Sequence, residues 1–109
     1  MTISLEDFKK LEIKIGHILS AEKVPDTDKL LKLSVDFGEE IPRQIISGIA
    51  PFFSDLQILI GKKCAFAANL EPRTIRGLDS RGMILAVSGE RFFSLLEVSS
   101  EVSSGSIVK

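Results

Sequence analysis

The sequence predicts an all-β protein of one domain: a small closed barrel of five strands in Greek-key order, with a short helix after the third strand. Three observations carry that reading. Short runs alternate apolar and polar residues between turn residues, as in LLKLSVDF at 30–37, which is the period of a half-buried strand. One helical signature interrupts the strands, and it falls after the third. At 109 residues, with 44% hydrophobic and 27% charged content, the chain suits a single core and excludes a disordered tail. Three strands, a helix and then more strands is the order of the OB-fold β-barrel. A small sandwich is the competing architecture.

The elements follow in order. Residues 12–20, EIKIGHILS, place Ile13 and Ile15 on one face, and the phase shifts after Gly16, so that Ile18 becomes the next large apolar residue. A strand that changes phase at a glycine reads as bulged and bent there, and a small barrel needs one such strand to serve both halves. VPDTDK at 24–29 is a turn whose Asp side chains can bond nearby amides. In the second strand Leu31, Leu33, Val35 and Phe37 face inward and Lys32, Ser34 and Asp36 outward. RQIISGI at 43–49 is the third strand. Ser54 then caps a short helix carrying Leu56, Leu59 and Ile60 on one face, stopped at Gly61. KCAFAANL (63–70), MILAV (83–87) and RFFSLLEV (91–98) are the later strands, the last two flanking a turn at Ser88–Gly89.

Composition narrows the setting. A single Cys64 cannot form an internal disulfide. The opening MTISLEDFKK lacks the basic and apolar regions of a secretory signal. The longest apolar runs are far short of the ~20 residues that span a bilayer. A cytoplasmic protein without a membrane partner is the expectation. With one His and one Cys, no catalytic residue, metal site or cofactor site is expected. Asp26 and Asp28 could suggest a metal pair, but turn capping explains them better.

The net charge of -1 counts against a nucleic-acid partner when taken over the whole chain. The charges are sorted, however. Residues 62–91 hold Lys62, Lys63, Arg73, Arg76, Arg81 and Arg91 against Glu71, Asp79 and Glu90, and so carry four of the five arginines. Arginine suits bidentate phosphate contact and stacking on bases. A solvated basic loop is the plain alternative.

The segment NLEPRTIRGLDSRGMILA, residues 69–86, decides between them. Asn69, Leu70, Pro72, Arg73, Arg76, Gly77, Ser80, Gly82 and Met83 resemble the signature of the tRNA-binding domain family. That family includes the C-terminal domain or β subunit of bacterial methionyl-tRNA synthetase, free-standing structure-specific tRNA-binding proteins, the EMAP II-like domain and the CsaA-type chaperone. DFKKLEIKIGHI (7–18) resembles the family's opening strand, VPDTDKLLKLSVDFGEE (24–40) its Asp-Lys-Leu hairpin, IISGIAPFF (45–53) its Ser-Gly-Ile strand, and LIGKKCAFAANL (59–70) its Ile-Gly-Lys segment. The likeness implies an OB-fold over residues 1–109, with the chain from about 91 onward as a dimerisation extension. It further implies tRNA as the partner, methionyl-tRNA synthetase as a possible one, and a homodimer.

The residue chemistry agrees. Arg73 and Arg76 can meet phosphates or splayed bases from one loop, and Asn69 and Ser80 can bond base edges or ribose hydroxyls. Met83 is either core or an apolar platform; the resemblance implies that it lines the RNA site. Lys29 and Lys32 are candidate phosphate contacts on the outer strand face, and Ser47 lies near it or serves as a plain strand hydroxyl. With no Trp or Tyr, stacking can use only Phe, Met or Arg; Phe37 and Phe66 fit the core, which leaves Phe52 or Phe53 for exposure. Binding by shape and phosphate is therefore expected. The rival reading is a CsaA-type chaperone for unfolded peptides, against which the retained Arg73, Arg76, Ser80, Gly82 and Met83 count. Two departures stand out: Arg81 replaces the family's usual Gln or Glu, and Ser103–Ser104 replace a proline before Gly105, which weakens the expectation of a strong dimer. Met1, close to the first matched block, fits a free-standing protein or β subunit, and a domain cut from a synthetase would look the same.

Overall fold

The longest strand, β1 (Ile13–Lys23), organises the molecule in the computed structural model, which describes residues 1–109. Its first half, Ile13–His17, pairs with β4 (Lys63–Ala67), and its second half, His17–Lys23, pairs with β2 (Leu31–Asp36). With β3 (Arg43–Ser47) and β7 (Met83–Ile84) the sheet runs β3–β2–β1–β4–β7, all antiparallel, and β7 packs back toward β3. The sheet is thus curled into an OB-like β-barrel.

The bulge lies at Leu19, between the Ile18 and Ser20 registers, rather than at Gly16. The phase shift in the sequence has another cause: both faces of β1 are covered in its first half. Ile18 enters the main core, whereas Ile15 is buried outside that cluster, on the stretch of β1 whose second edge β10 (Ile107–Val108) pairs at Ile13 and Lys14. Gly16 has a packing role instead. A Cβ there would stand 2.5 Å from Val35, 2.8 Å from Phe37 and 2.9 Å from Phe66, so no larger residue fits in this close-packed interior.

The β2 alternation holds as expected, with Leu31, Leu33, Val35 and Phe37 buried and Lys32, Ser34 and Asp36 half-buried between them. Phe37 and Phe66 meet edge to face at 5.2 Å, and Ile18, Ile45, Leu59 and Cys64 complete the centre. Each large side chain there contributes roughly 1.5–3 kcal/mol through burial. Burial pushes the Cys64 thiol up to about 11, with Glu97 adding to the shift, so the group is a neutral packing residue.

The expected helix at 54–61 is reduced to one 3-10 turn, Leu56–Leu59, which follows another at Ala50–Phe52, and Ile60, expected on the same face as Leu59, is exposed. Asp55, not Ser54, caps the second turn, its carboxylate accepting from the Gln57 amide at 3.0 Å. Only four residues separate that cap from Ile60, too few for an α-helix to propagate, yet Leu59 is fully buried and seals the barrel end. Beyond β4, the run MILAV divides at Leu85 into β7 and β8 (Ala86–Ser88): the Leu85 amide still bonds the Ala65 carbonyl at 3.0 Å, in the register of the β4–β7 pair, whereas the next three residues leave β4 for a different strand. β8 pairs with β9 (Phe93–Leu95) across the Ser88–Gly89 turn.

Besides β10, a helix and a hairpin go beyond what the sequence predicts. The resemblance places 7–18 in the opening strand, but residues 5–10 form a helix, α1 (Leu5–Lys10), and the strand begins only at Ile13. Ser4 caps it by accepting from the Asp7 amide at 3.0 Å, with Glu6 and Asp7 in the first turn and Lys9 and Lys10 in the last, the charge order that suits a helix dipole. The stretch 73–80, expected as a loop, is a hairpin of β5 (Arg73–Ile75) and β6 (Leu78–Ser80).

Candidate nucleic-acid interface

The β5–β6 hairpin is joined by the two residues Arg76 and Gly77, whose φ angles of 54° and 77° are both left-handed. Such a pair defines a type I′ turn, for which Asn-Gly is the usual choice. Arg76 therefore holds a conformation disfavoured for its type, at the exposed tip. Arg73 is exposed on the other strand of the hairpin, opposite Ser80.

The hairpin is fixed to β3 by polar contacts. The buried Ser80 hydroxyl accepts from the Ile46 amide at 2.9 Å and donates to the Gly82 carbonyl at 3.3 Å. Gln44 Nε2 donates to the Asp79 carbonyl at 2.8 Å, and the Arg81 amide donates to the Gln44 carbonyl at 2.9 Å. Arg43 adds a further tie that the sequence does not single out. Its Nη1 donates to the Ala68 and Arg81 carbonyls at 2.6 and 3.3 Å. Its Nε and Nη2 grip both Glu39 oxygens at 2.8 Å, and its guanidinium lies 5.0 Å over the Phe37 ring. The hydrogen bonds from Arg43 hold the Glu39 carboxyl below its ordinary range, against some desolvation.

The register then sorts the remaining candidates. Lys32 stands opposite Glu22 and Ile46 on the outer face, with its Nζ 3.6 Å from Glu22. Beside that row lie Ser20, Ser34 and Gln44, also mutually opposed, and together these side chains line an open groove of about 330 Å³. A second depression of about 220 Å³ brings Lys32 together with Leu78 of the hairpin. Lys29 is exposed in the β1–β2 loop, its amide bonded to Thr27 Oγ1 at 3.2 Å; the caps expected from Asp26 and Asp28 are thus made by Thr27 here.

Three candidates are placed differently from the expectation. Ser47 stands opposite Leu31, and so belongs to the inward row rather than the Lys32 face. The Ser80 hydroxyl is enclosed, with both of its bonds inside the protein. Asn69 joins the barrel to α1, accepting from the Glu12 amide at 2.8 Å and donating to the Lys10 carbonyl at 2.6 Å. Met83 is exposed on β7, opposite Ala67. Ser20 and Gln44 were missed because only strand register brings them to Lys32; Ser34 was legible from alternation with it.

The basic segment divides in the same way. Lys62 pairs with Glu97 at 2.9 Å, and Lys63 donates to the Ser100 and Val102 carbonyls at 2.8 and 2.7 Å, so both hold the C-terminal arm. Arg73, Arg76, Arg81 and Arg91 make no ion pair. No cluster of three or more His, Cys, Asp or Glu could hold a metal ion, and no helix is long and apolar enough to cross a membrane.

A curled antiparallel barrel of this strand order is an OB-like fold, a class whose β2–β3 face and adjoining loops bind oligonucleotides and oligosaccharides, and the arginine hairpin packs against β3 of that face. Residues 13–107 match the family described as "Putative tRNA binding domain", and the chain belongs to that family. It is 45% identical over 104 residues to the methionine–tRNA ligase of Caldanaerobacter subterraneus subsp. tengcongensis, a match covering 95% of this chain and 16% of that enzyme. The chain therefore spans about a sixth of the length of such relatives. Among solved structures, a methionyl-tRNA synthetase-related protein from Pyrococcus horikoshii superposes with a TM-score of 0.92 at 37% identity, covering 100% of this chain and 99% of that one. The chaperone CsaA from Bacillus anthracis superposes at 0.86 and 26% identity, with both chains fully covered. The chain is a tRNA-binding domain related to the C-terminal domain of methionyl-tRNA synthetase.

Proposed function

We propose that this domain is non-catalytic and binds tRNA by shape and phosphate contact, as a homodimer that serves a methionyl-tRNA synthetase in cis or in trans. The observation that carries the reading is the β5–β6 hairpin: Arg73 and Arg76 project without acidic partners from a frame anchored to β3 through Ser80. Lys29 and Lys32 extend the positive path along the outer face, and Met83 offers an apolar contact. Asn69 and Ser80 take supporting places in this reading, holding the frame rather than the RNA, and Ser47 stays on the inward row opposite Leu31.

The homodimer is supported by unpartnered apolar surface. Helix α1 buries none of its residues, leaving Leu5, Phe8 and the adjoining Leu11 exposed, and Ile107 and Val108 of the arm are exposed as well. Two copies would bring two arginine hairpins to one tRNA.

The test is direct. Arg73→Ala and Arg76→Ala should each weaken tRNA binding while the far-ultraviolet spectrum and melting temperature hold. Wild-type affinity in both variants would refute the site. The likeness to CsaA favours a second reading, capture of extended apolar peptides; in that case affinity for a peptide, and not for tRNA, would survive high salt.

A further inference from the structure

Phe52 and Phe93 lie in parallel, with centroids 4.0 Å apart and 5° between their planes. Phe93 is half-buried and held edge-on by Phe53 at 5.7 Å and 86°, and both Phe53 and Phe93 pack on the main core. Phe52 is 51% exposed. One ring of the stack is therefore anchored, while the outer ring is open to solvent. With Phe92, which is 60% exposed, and the Gly89–Arg91 turn, these rings line an open groove of about 340 Å³.

We propose that Phe52, backed by Phe93, is a stacking platform for one unpaired base of the bound RNA, at a place separate from the arginine hairpin. The inference rests on the tRNA reading and adds a second, differently driven contact to it. The chemistry of the rim favours a base over a phosphate or an apolar peptide. Arg91 and Glu90 both line the groove and cancel in charge, which gives no net pull on a phosphate. A guanidinium donor and a carboxylate acceptor are, however, the groups that can meet the polar edge of a base. A flat ring added to a parallel pair extends the stack at little ordering cost, because Phe93, itself held by Phe53, already backs Phe52. The platform is also continuous with the proposed cationic face: the Ala50 amide, at the start of the turn that carries Phe52, donates to the Lys29 carbonyl at 3.2 Å.

The chain has no Trp and no Tyr, so Phe52→Trp introduces a sole emitter at the site. Saturating tRNA should quench that emission, and a short unpaired oligonucleotide should do so more weakly, while blunt duplex RNA should leave it unchanged. Phe52→Leu, which keeps an apolar side chain and removes the ring, should weaken tRNA binding by roughly 5- to 150-fold. That factor should be the same at low and high salt, since no phosphate contact is lost, and Phe52→Tyr should restore binding. Emission unmoved by tRNA at concentrations that saturate the wild type, or quenching by an apolar peptide alone, would overturn the platform; the latter would make the groove a protein-docking surface. Arg73→Ala is measured beside these variants. If it weakens tRNA binding while Phe52→Leu does not, the platform alone falls. If the wild type does not bind tRNA, the tRNA reading falls and the platform with it.

Discussion

The Ser80 hydroxyl sits 2.9 Å from the Ile46 amide, across 34 residues of chain, and joins the arginine hairpin to the third strand of the barrel. Ser80→Ala leaves a buried amide without its acceptor and should destabilise the fold by about 1–3 kcal/mol. Urea denaturation checks this, and unchanged stability would show that the hairpin is held by its other contacts alone.

Arg76 occupies a left-handed turn position, with φ 54°, that suits Asn better. Arg76→Asn should therefore stabilise the fold, by about 0.5–1 kcal/mol, while weakening tRNA binding and lowering the salt slope by ~0.7–0.9. A thermal melt and a salt titration read the two effects separately. Opposite signs in stability and affinity would mark the strain as serving binding.

Salt sensitivity tests the phosphate reading as a whole. If the two hairpin arginines, Lys29 and Lys32 each neutralise a phosphate, about four are engaged, and affinity should fall roughly fiftyfold between 50 and 200 mM salt at a slope of ~0.7 per phosphate. A flat salt profile would refute an electrostatic interface.

Glu39 is held below its ordinary carboxyl range by hydrogen bonds from Arg43. A lowered folded-state pKa stabilises the native state above the unfolded value, near 4.5, and that stabilisation is lost as pH falls through the lowered value. The stability difference between wild type and Glu39→Gln should thus be constant near neutral pH and shrink on acidification below about 4.5. Denaturation across a pH series measures it.

Phe8→Glu puts a charge on the exposed apolar face of α1. It should convert a dimer to a folded monomer in sedimentation, without lowering monomer helicity. A wild-type protein that sediments as a 12.0 kDa species at micromolar concentration would remove the basis of the homodimer proposal.

The barrel was legible because burial follows local pattern: the alternation from Leu31 to Phe37 shows which side chains face the core, and Gly61 shows where the turn after β3 must end. The hairpin at 73–80 was less legible, since β5 and β6 are three residues each and Arg76 stands where a turn residue would announce itself. Helix α1 hid for a related reason: with none of its residues buried, its apolar positions are patterned against no part of this chain.

By itself the sequence determined the strands β1 to β4, the inward row from Leu31 to Phe37 and the arginine-bearing motif, all of which depend on residue types and short spacings. The tertiary structure decided which polar groups remain available to a partner. Asn69 and Ser80 look like RNA ligands in the linear motif, yet their hydrogen bonds close on Glu12, Lys10 and Ile46, as far as 59 residues away. Lys62 and Lys63 count toward the basic segment but hold the C-terminal arm. Hydrogen-bond satisfaction is non-local, because a buried donor takes its acceptor from whatever segment the fold brings near. The free arginines of the hairpin are distinguished from Lys62 and Lys63 only by that pairing, and the open ring of Phe52 from Phe53 and Phe93 only by packing on the core.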